Sequence, residues 1–178
     1  MNDDVAHRLL EHQASKFFGK YRGTVTDNRD PLTRARLKVQ VPQVLGDAEV
    51  WALPCVPFAG KDVGFFALPK TGTMVWVEFE AGDPSYPIWT GAMWALGDIT
   101  PEDATPDVKF LKTDKFTLRI DDVVGEITIS NQGGTQITLG AVELNLKSST
   151  VTSEASGGKK TELSAVSFSV NDAALEVL

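Results

Sequence analysis

The sequence predicts a mainly β protein built from two unlike β regions, a small closed barrel and a run of short strands that cannot cover their own apolar faces. Three observations carry this. Residues 19–97 contain about five or six short segments that alternate apolar and polar side chains, divided by turn residues, with no helical period between them. Residues 113–178 carry apolar-x-apolar pairs at short intervals, set in Gly, Asn, Asp, Ser and Thr. Helical spacing is confined to one stretch, residues 3–18.

The opening segment, DDVAHRLLEHQASKFF, places Ala6, Leu9, Leu10, Ala14 and Phe17 on one helical face, with Asp3 or Asp4 to cap it and Gly19 to end it. His7 and His12 are five residues apart and share no face, so no metal site is expected there. The barrel pattern from Tyr21 to Gly91 looks complete without this helix. Its apolar residues Leu9, Leu10 and Phe17 are therefore expected to cover another chain rather than their own barrel.

Within the barrel region, KYRGTVTDN and ARLKVQVP alternate at period two, and DNRDPLTR between them is turn chemistry. EVWALPCVPFAG is extended, and its two prolines suit an edge or a bent strand. In GTMVWVEFE, Val75, Val77 and Phe79 point to the barrel interior, while Met74, Trp76, Glu78 and Glu80 point outward. The corner AGDPSYP combines a glycine free to take positive φ (Gly82), an aspartate able to bond its own backbone (Asp83) and a proline that presets the next turn position (Pro84). Gly91 marks a bend or a close backbone approach.

Composition narrows the function classes. The 178 residues are 42% hydrophobic and 23% charged, as in an ordinary folded domain. A net charge of −7 offers no footprint for a phosphate backbone. The one cysteine, Cys55, allows no intrachain disulfide, and its apolar neighbours predict a buried, inert thiol. No apolar run reaches 18 residues, and the acidic N-terminus has no apolar export core, so neither a membrane span nor export by a cleaved signal is expected.

Gly64, Pro69, Gly72, Val75, Val77, Phe79, Gly82, Asp83, Pro87 and Gly91 stand at spacings that resemble the OB-fold domain of the central spike proteins of contractile injection machines. That family includes phage baseplate assembly protein V, the N-terminal domain of tail-lysozyme spikes and the valine–glycine-repeat proteins of type VI secretion. The upstream GKYRGTVTDNRDPLTRARLKVQVP is similar to the family's opening, and the likeness covers residues 19–95. One departure follows Gly91, where Ala92, Met93 and Trp94 replace the small polar pair the family pattern leads one to expect.

Residues 98–112 are rich in Pro and Asp and read as a linker of about 15 residues. Beyond it, the pairs Leu118/Ile120, Ile127/Ile129, Ile137/Leu139 and Leu144/Leu146 recur at spacings of 9, 10 and 7, followed by Phe168/Val170 and Leu175/Val177. Each pair gives a short strand one apolar face, too little for an isolated chain to bury. Three copies wound about one axis would supply the missing partners and remove free sheet edges. The alternative is a two-sheet meander laid on the barrel. The resemblance implies the former as a trimeric, triple-stranded β-helix over residues 113–178. The fold expected is therefore a short N-terminal helix (1–18), an OB-fold barrel (19–97), a linker (98–112) and a β-helical spike (113–178).

Catalysis is not expected. Asp27, Asp30 and Asp83 sit in turns, and Glu78 and Glu80 alternate with barrel residues as an exposed face does, which leaves no obvious glycosidase pair. The linker is too short to hold the lysozyme domain of some spikes, and no histidine follows residue 12, so the histidine-bearing, iron-binding tip of some phage spikes is not expected. No catalytic, cofactor or metal residue is assigned. The aromatics Phe65, Phe66, Trp76, Trp89 and Trp94 could stack bases, but the cations near them in sequence are Lys61 and Lys70, and contact with protein is the expected role. The residues expected at interfaces are Leu9, Leu10, Phe17, Trp76, Trp89, Trp94, Ile127, Ile129, Ile137, Leu139, Leu144 and Leu146. The resemblance implies a non-enzymatic spike of a virion tail or injection-particle baseplate, assembled in the bacterial cytoplasm. Its implied partners are two further copies, a baseplate hub, a separate tip protein and, transiently, a target membrane, with no nucleic acid. The competing readings are an OB-fold module for oligosaccharide or single-stranded nucleic acid and an accessory to a cell-wall hydrolase.

Overall fold

The computed structural model describes residues 15–171 and 174–177. Most of the expected N-terminal helix, with Leu9 and Leu10, lies outside them. The chain divides into two compact units, residues 1–98 and 99–178.

The first unit is a closed five-stranded barrel. Its strands are β1 (Tyr21–Asp27), β2 (Leu37–Gln40), β3 (Glu49–Pro54), β6 (Met74–Phe79) and β7 (Pro87–Ala92), ordered β1-β2-β3-β7-β6. A small hairpin of β4 (Ala59–Gly60) and β5 (Val63–Gly64) and a one-turn helix α1 (Pro42–Leu45) are inserted between them. All barrel pairings are antiparallel except β3 with β7. Val25, Leu37, Val39, Val41, Ala52, Val75, Val77, Phe79 and Trp89 fill the interior. The interior assignment of Val75, Val77 and Phe79 thus holds, because period-two alternation is a local property of an extended chain. Gly23, in the opening segment KYRGTVTDN, stands where β1 passes close to both neighbours. A Cβ there would stand 3.0 Å from Val77 Cγ2 and 3.2 Å from Gln40 O, so a side chain would push β1 off both neighbours.

Three details differ from the sequence reading. Cys55 is exposed. It falls on the same alternation as Trp51 and Leu53, opposite the buried Ala52, and its own N–H is held by Trp89 O at 2.9 Å. β3 is not an edge; it lies between β2 and β7, with Pro54 at its last position. Residues 16–18, expected as the end of a helix, are not helical. Tertiary contact wins there: Phe17 N–H donates to Gly82 O at 2.8 Å, and the Phe17 ring lies against Tyr21 (centroids 6.1 Å) and Phe79 (6.2 Å).

The second unit consists of two antiparallel meanders. The first has five strands: β8 (Val108–Lys112), β9 (Phe116–Asp121), β10 (Glu126–Asn131), β11 (Gln136–Leu139) and β12 (Leu144–Lys147). The second has four: β13 (Thr150–Ala155), β14 (Lys159–Ser164), β15 (Phe168–Val170) and β16 (Leu175–Val177). Each apolar pair noted in the sequence occupies a strand of its own. β8 lies in the stretch read as linker; VKFLK alternates Val and Phe with Lys and Leu, so neither face reads cleanly as apolar. Within one chain this unit is two meanders.

Candidate functional site

Strand register builds the most unusual surface of the molecule. Across the first meander, Leu111 pairs with Leu118, Leu118 with Ile129, Ile129 with Ile137 and Ile137 with Leu146. A parallel row runs Ile120, Ile127, Leu139 and Leu144, with Lys109 at its β8 end. Because side chains alternate across a strand, both rows lie on one face of the sheet. The expected interface residues Ile127, Ile129, Ile137, Leu139, Leu144 and Leu146 all belong to it. Its opposite face carries Thr117, Arg119, Asp121, Thr128, Ser130, Gln136 and Thr138.

Burial on this sheet is inverted. The polar residues just named are half-buried. On the apolar face every residue of the two rows is exposed, from 37% at Leu118 and Ile120 to 64% at Leu144. The second meander repeats the pattern with a row of Val151, Leu163, Phe168 and Val177, of which Leu163 and Val177 are more than half exposed. A contiguous apolar face five strands wide is rare on a monomer and marks an interaction surface.

The polar side of the first meander is tied down by ions. Asp103 accepts from Lys112 Nζ at 3.1 Å and faces Arg119 Nε at 3.5 Å, while Arg119 Nη1 reaches Asp121 at 2.7 Å. On the other face, at the β8 end of the apolar row, Lys109 pairs with Asp122. Asp121 also accepts the backbone N–H groups of Val124 and Val123; these bonds, with Arg119, hold its carboxyl below the usual range.

On the barrel, the four aromatic candidates part company. Phe17 is half-buried against its own barrel. Trp89 is 5% exposed and donates its Nε1–H to Ala35 O at 3.2 Å, which makes it a core residue of this chain rather than a surface one. Trp76 is half-buried with the Arg22 guanidinium 6.0 Å from its ring centroid. Trp94 is 68% exposed. The sequence reading missed the cations beside these rings. Arg22 lies directly across from Trp76 on β1, and Arg36 stacks 5.1 Å over Trp51, next to Lys38 in the β2–β3 register. Only strand register reveals such neighbours, since they stand far apart in the chain. Most of the charge is nonetheless neutralised locally: Arg36 pairs with Asp30 at 2.6 Å, Lys38 with Glu49 at 2.8 Å and Lys20 with Glu78 at 2.7 Å.

The carboxylates weighed as catalytic have structural duties. Asp30, in the β1–β2 loop, accepts Leu32 N–H (2.9 Å), Arg34 N–H (2.8 Å) and Arg36 N–H (3.2 Å) besides the Arg36 side chain. The Arg36 guanidinium, helped by those three amides, holds the Asp30 carboxyl well below the usual carboxylate range. Asp27 accepts Arg29 N–H at 2.8 Å. Asp83 accepts Ser85 N–H at 3.0 Å and Lys16 Nζ at 3.3 Å, and the Ser85 and Lys16 contacts lower its pKa. Among the described residues no group of three His, Cys, Asp or Glu side chains converges as a metal site would require, and no helix is long and apolar enough to cross a membrane.

Residues 21–94 match the family described as the type VI secretion system/phage-baseplate injector OB domain. That match covers the barrel and less than half of the chain, so the barrel is similar to that domain. The chain is also similar to two type VI secretion system spike proteins of Pseudomonas aeruginosa, VgrG2a and VgrG2b, each 33% identical over 102 residues and 51% of this chain. It covers 12% of the first and 10% of the second, so it spans about a tenth of the curated relatives it matches. The matched stretch holds the five barrel strands β1, β2, β3, β6 and β7 and the inserted β4–β5 hairpin, and it ends before the second unit begins at residue 99.

Proposed function

We propose that this chain is a non-enzymatic spike subunit of a contractile injection machine, acting as a homotrimer. In this reading the injector OB domain docks to a baseplate hub. The strands of residues 108–177 wrap with those of two other copies into a triple-stranded β-helix, which forms the needle that meets the target membrane, with a separate tip protein at its end. The assembled particle is a virion tail or a related injection baseplate. The observation that carries the reading is the exposed double row of Leu and Ile across β8–β12. A chain with such a face on the side opposite its Asp103–Arg119–Asp121 ion network needs a partner of matching apolar shape, and identical copies supply one. The barrel's similarity to the injector OB domain and the spike relatives support the same reading.

The mechanism is mechanical. An apolar core shared by three chains and strands without free edges give a rigid rod, and force applied at the barrel is transmitted along it. No residue is assigned a role in bond making or breaking. The test is removal of the chain from a producing strain, with the particles viewed by electron microscopy. Loss of central density and of assembled baseplates is expected. Normal, active particles would contradict the role, and so would muramidase turnover by the purified protein that Glu78→Gln or Asp83→Asn abolished.

A further inference from the structure

We propose that the β1–β2 loop is a docking surface for an acidic segment of a protein partner, read by Arg29 and Arg34 on either side of Leu32. The chain carries −7 overall, yet this loop is locally basic. Arg29 and Arg34 are exposed and make no ion pair with any described residue, whereas the neighbouring cations Arg36 and Lys38 are committed to Asp30 and Glu49. Leu32 between them is 58% exposed, an apolar anchor with a charged rim on both sides.

The loop is also held more firmly than a turn requires. Asp30 takes three backbone amides and one guanidinium, fixing residues 30–36 around a single carboxylate. Thr33 (φ 52°) and Ala35 (φ 58°) adopt left-handed backbone without being glycine, and Trp89 fixes the Ala35 carbonyl from the core. A rigid loop that projects two unneutralised arginines binds with little ordering cost, which is the economy of a preformed recognition surface. A protein fits better than a nucleic acid. The lysines that would extend the basic track, Lys20 and Lys38, are closed off by Glu78 and Glu49, and a phosphate backbone has no socket for Leu32.

The proposal deepens the docking role given to the barrel, and its test is independent of assembly. The probe is a fluorescein-labelled peptide of three glutamates, one leucine and three glutamates, titrated against the full chain at low salt and followed by anisotropy. Saturable binding is expected, weakened at least about ten-fold in the Arg29→Glu/Arg34→Glu double variant, clearly reduced in Arg29→Gln/Arg34→Gln, and unchanged in Lys147→Glu, a charge reversal on β12. No binding up to about 1 mM peptide, an equal loss in Lys147→Glu, or equal or tighter binding of a 15-nucleotide oligothymidine would each overturn it. Light scattering on the same samples separates the outcomes: a trimeric mass with no peptide binding sinks this inference alone.

Discussion

Ile129 stands at the centre of the apolar face, paired with Leu118 on one side and Ile137 on the other, and is 47% exposed in a single chain. If three copies bury that face, Ile129→Ala removes three carbons per chain, each contributing about 0.8 kcal/mol when fully buried. Roughly half of that burial already exists within the chain, which leaves about 1 kcal/mol per copy, or about 3 kcal/mol per trimer, assigned to assembly. A difference of 3 kcal/mol is about two orders of magnitude in the trimer association constant. Ile129→Asp is more severe. It places three carboxylates on the shared face, where each carries a desolvation cost of several kcal/mol, so assembly at micromolar concentration is abolished. Lowering the pH toward 4 protonates these carboxyls, whose pKa burial would raise, and should partly restore the trimer. The control is Thr128→Asp, one residue away on the opposite face and across from Arg119. Sedimentation velocity over a dilution series reads all three. Equal behaviour of Ile129→Asp and Thr128→Asp would refute the claim that the two faces differ in role.

Other perturbations test the barrel. Asp30, Asp83 and Asp121 have folded pKa values below those of free carboxyls, so the stability they confer is present above about pH 4 and is lost as the pH falls through their folded values. Asp30→Asn should lower the thermal midpoint at pH 7 and make the acid limb shallower, measured by circular dichroism; an unchanged acid limb would discount Asp30 as the loop's anchor. Trp89→Phe removes the bond to Ala35 O and part of a core ring and should cost about 2 kcal/mol in denaturant unfolding. Gly82→Ala should cost about 1–2 kcal/mol for its backbone alone, since φ is +74°. The new Cβ, 2.9 Å from the Phe18 ring, should also displace the segment that carries Lys16 and Phe17, seen as a change in near-ultraviolet dichroism.

The barrel was legible because its signals are local. Alternation named Val75, Val77 and Phe79 as interior, and turn chemistry named the corners at Asp30 and Asp83. β9 to β12, β15 and β16 were legible for the same reason, each announced by one apolar pair. β13 and β14 were not, because TVTSEA and KKTELS carry no such pair. Partners across strands were illegible throughout. Nothing near Trp76 in sequence points to Arg22, and nothing near Asp30 shows that one carboxylate would gather four donor groups. Residues 16–18 were misread as helix because their spacing is compatible with one, while the contact that decides their conformation, Phe17 against Tyr21 and Phe79, is tertiary. Cys55 was misread because its apolar neighbours suggested burial, whereas alternation from Ala52 places it outside.

The central claim is that the apolar rows of β8–β12 are covered by two further copies of the same chain. Light scattering on the purified native protein at micromolar concentration tests it most directly. The account predicts three times the 19.3 kDa of one chain, persisting in mild denaturant. A mass of one chain, with the Leu and Ile rows still open to solvent, would contradict it.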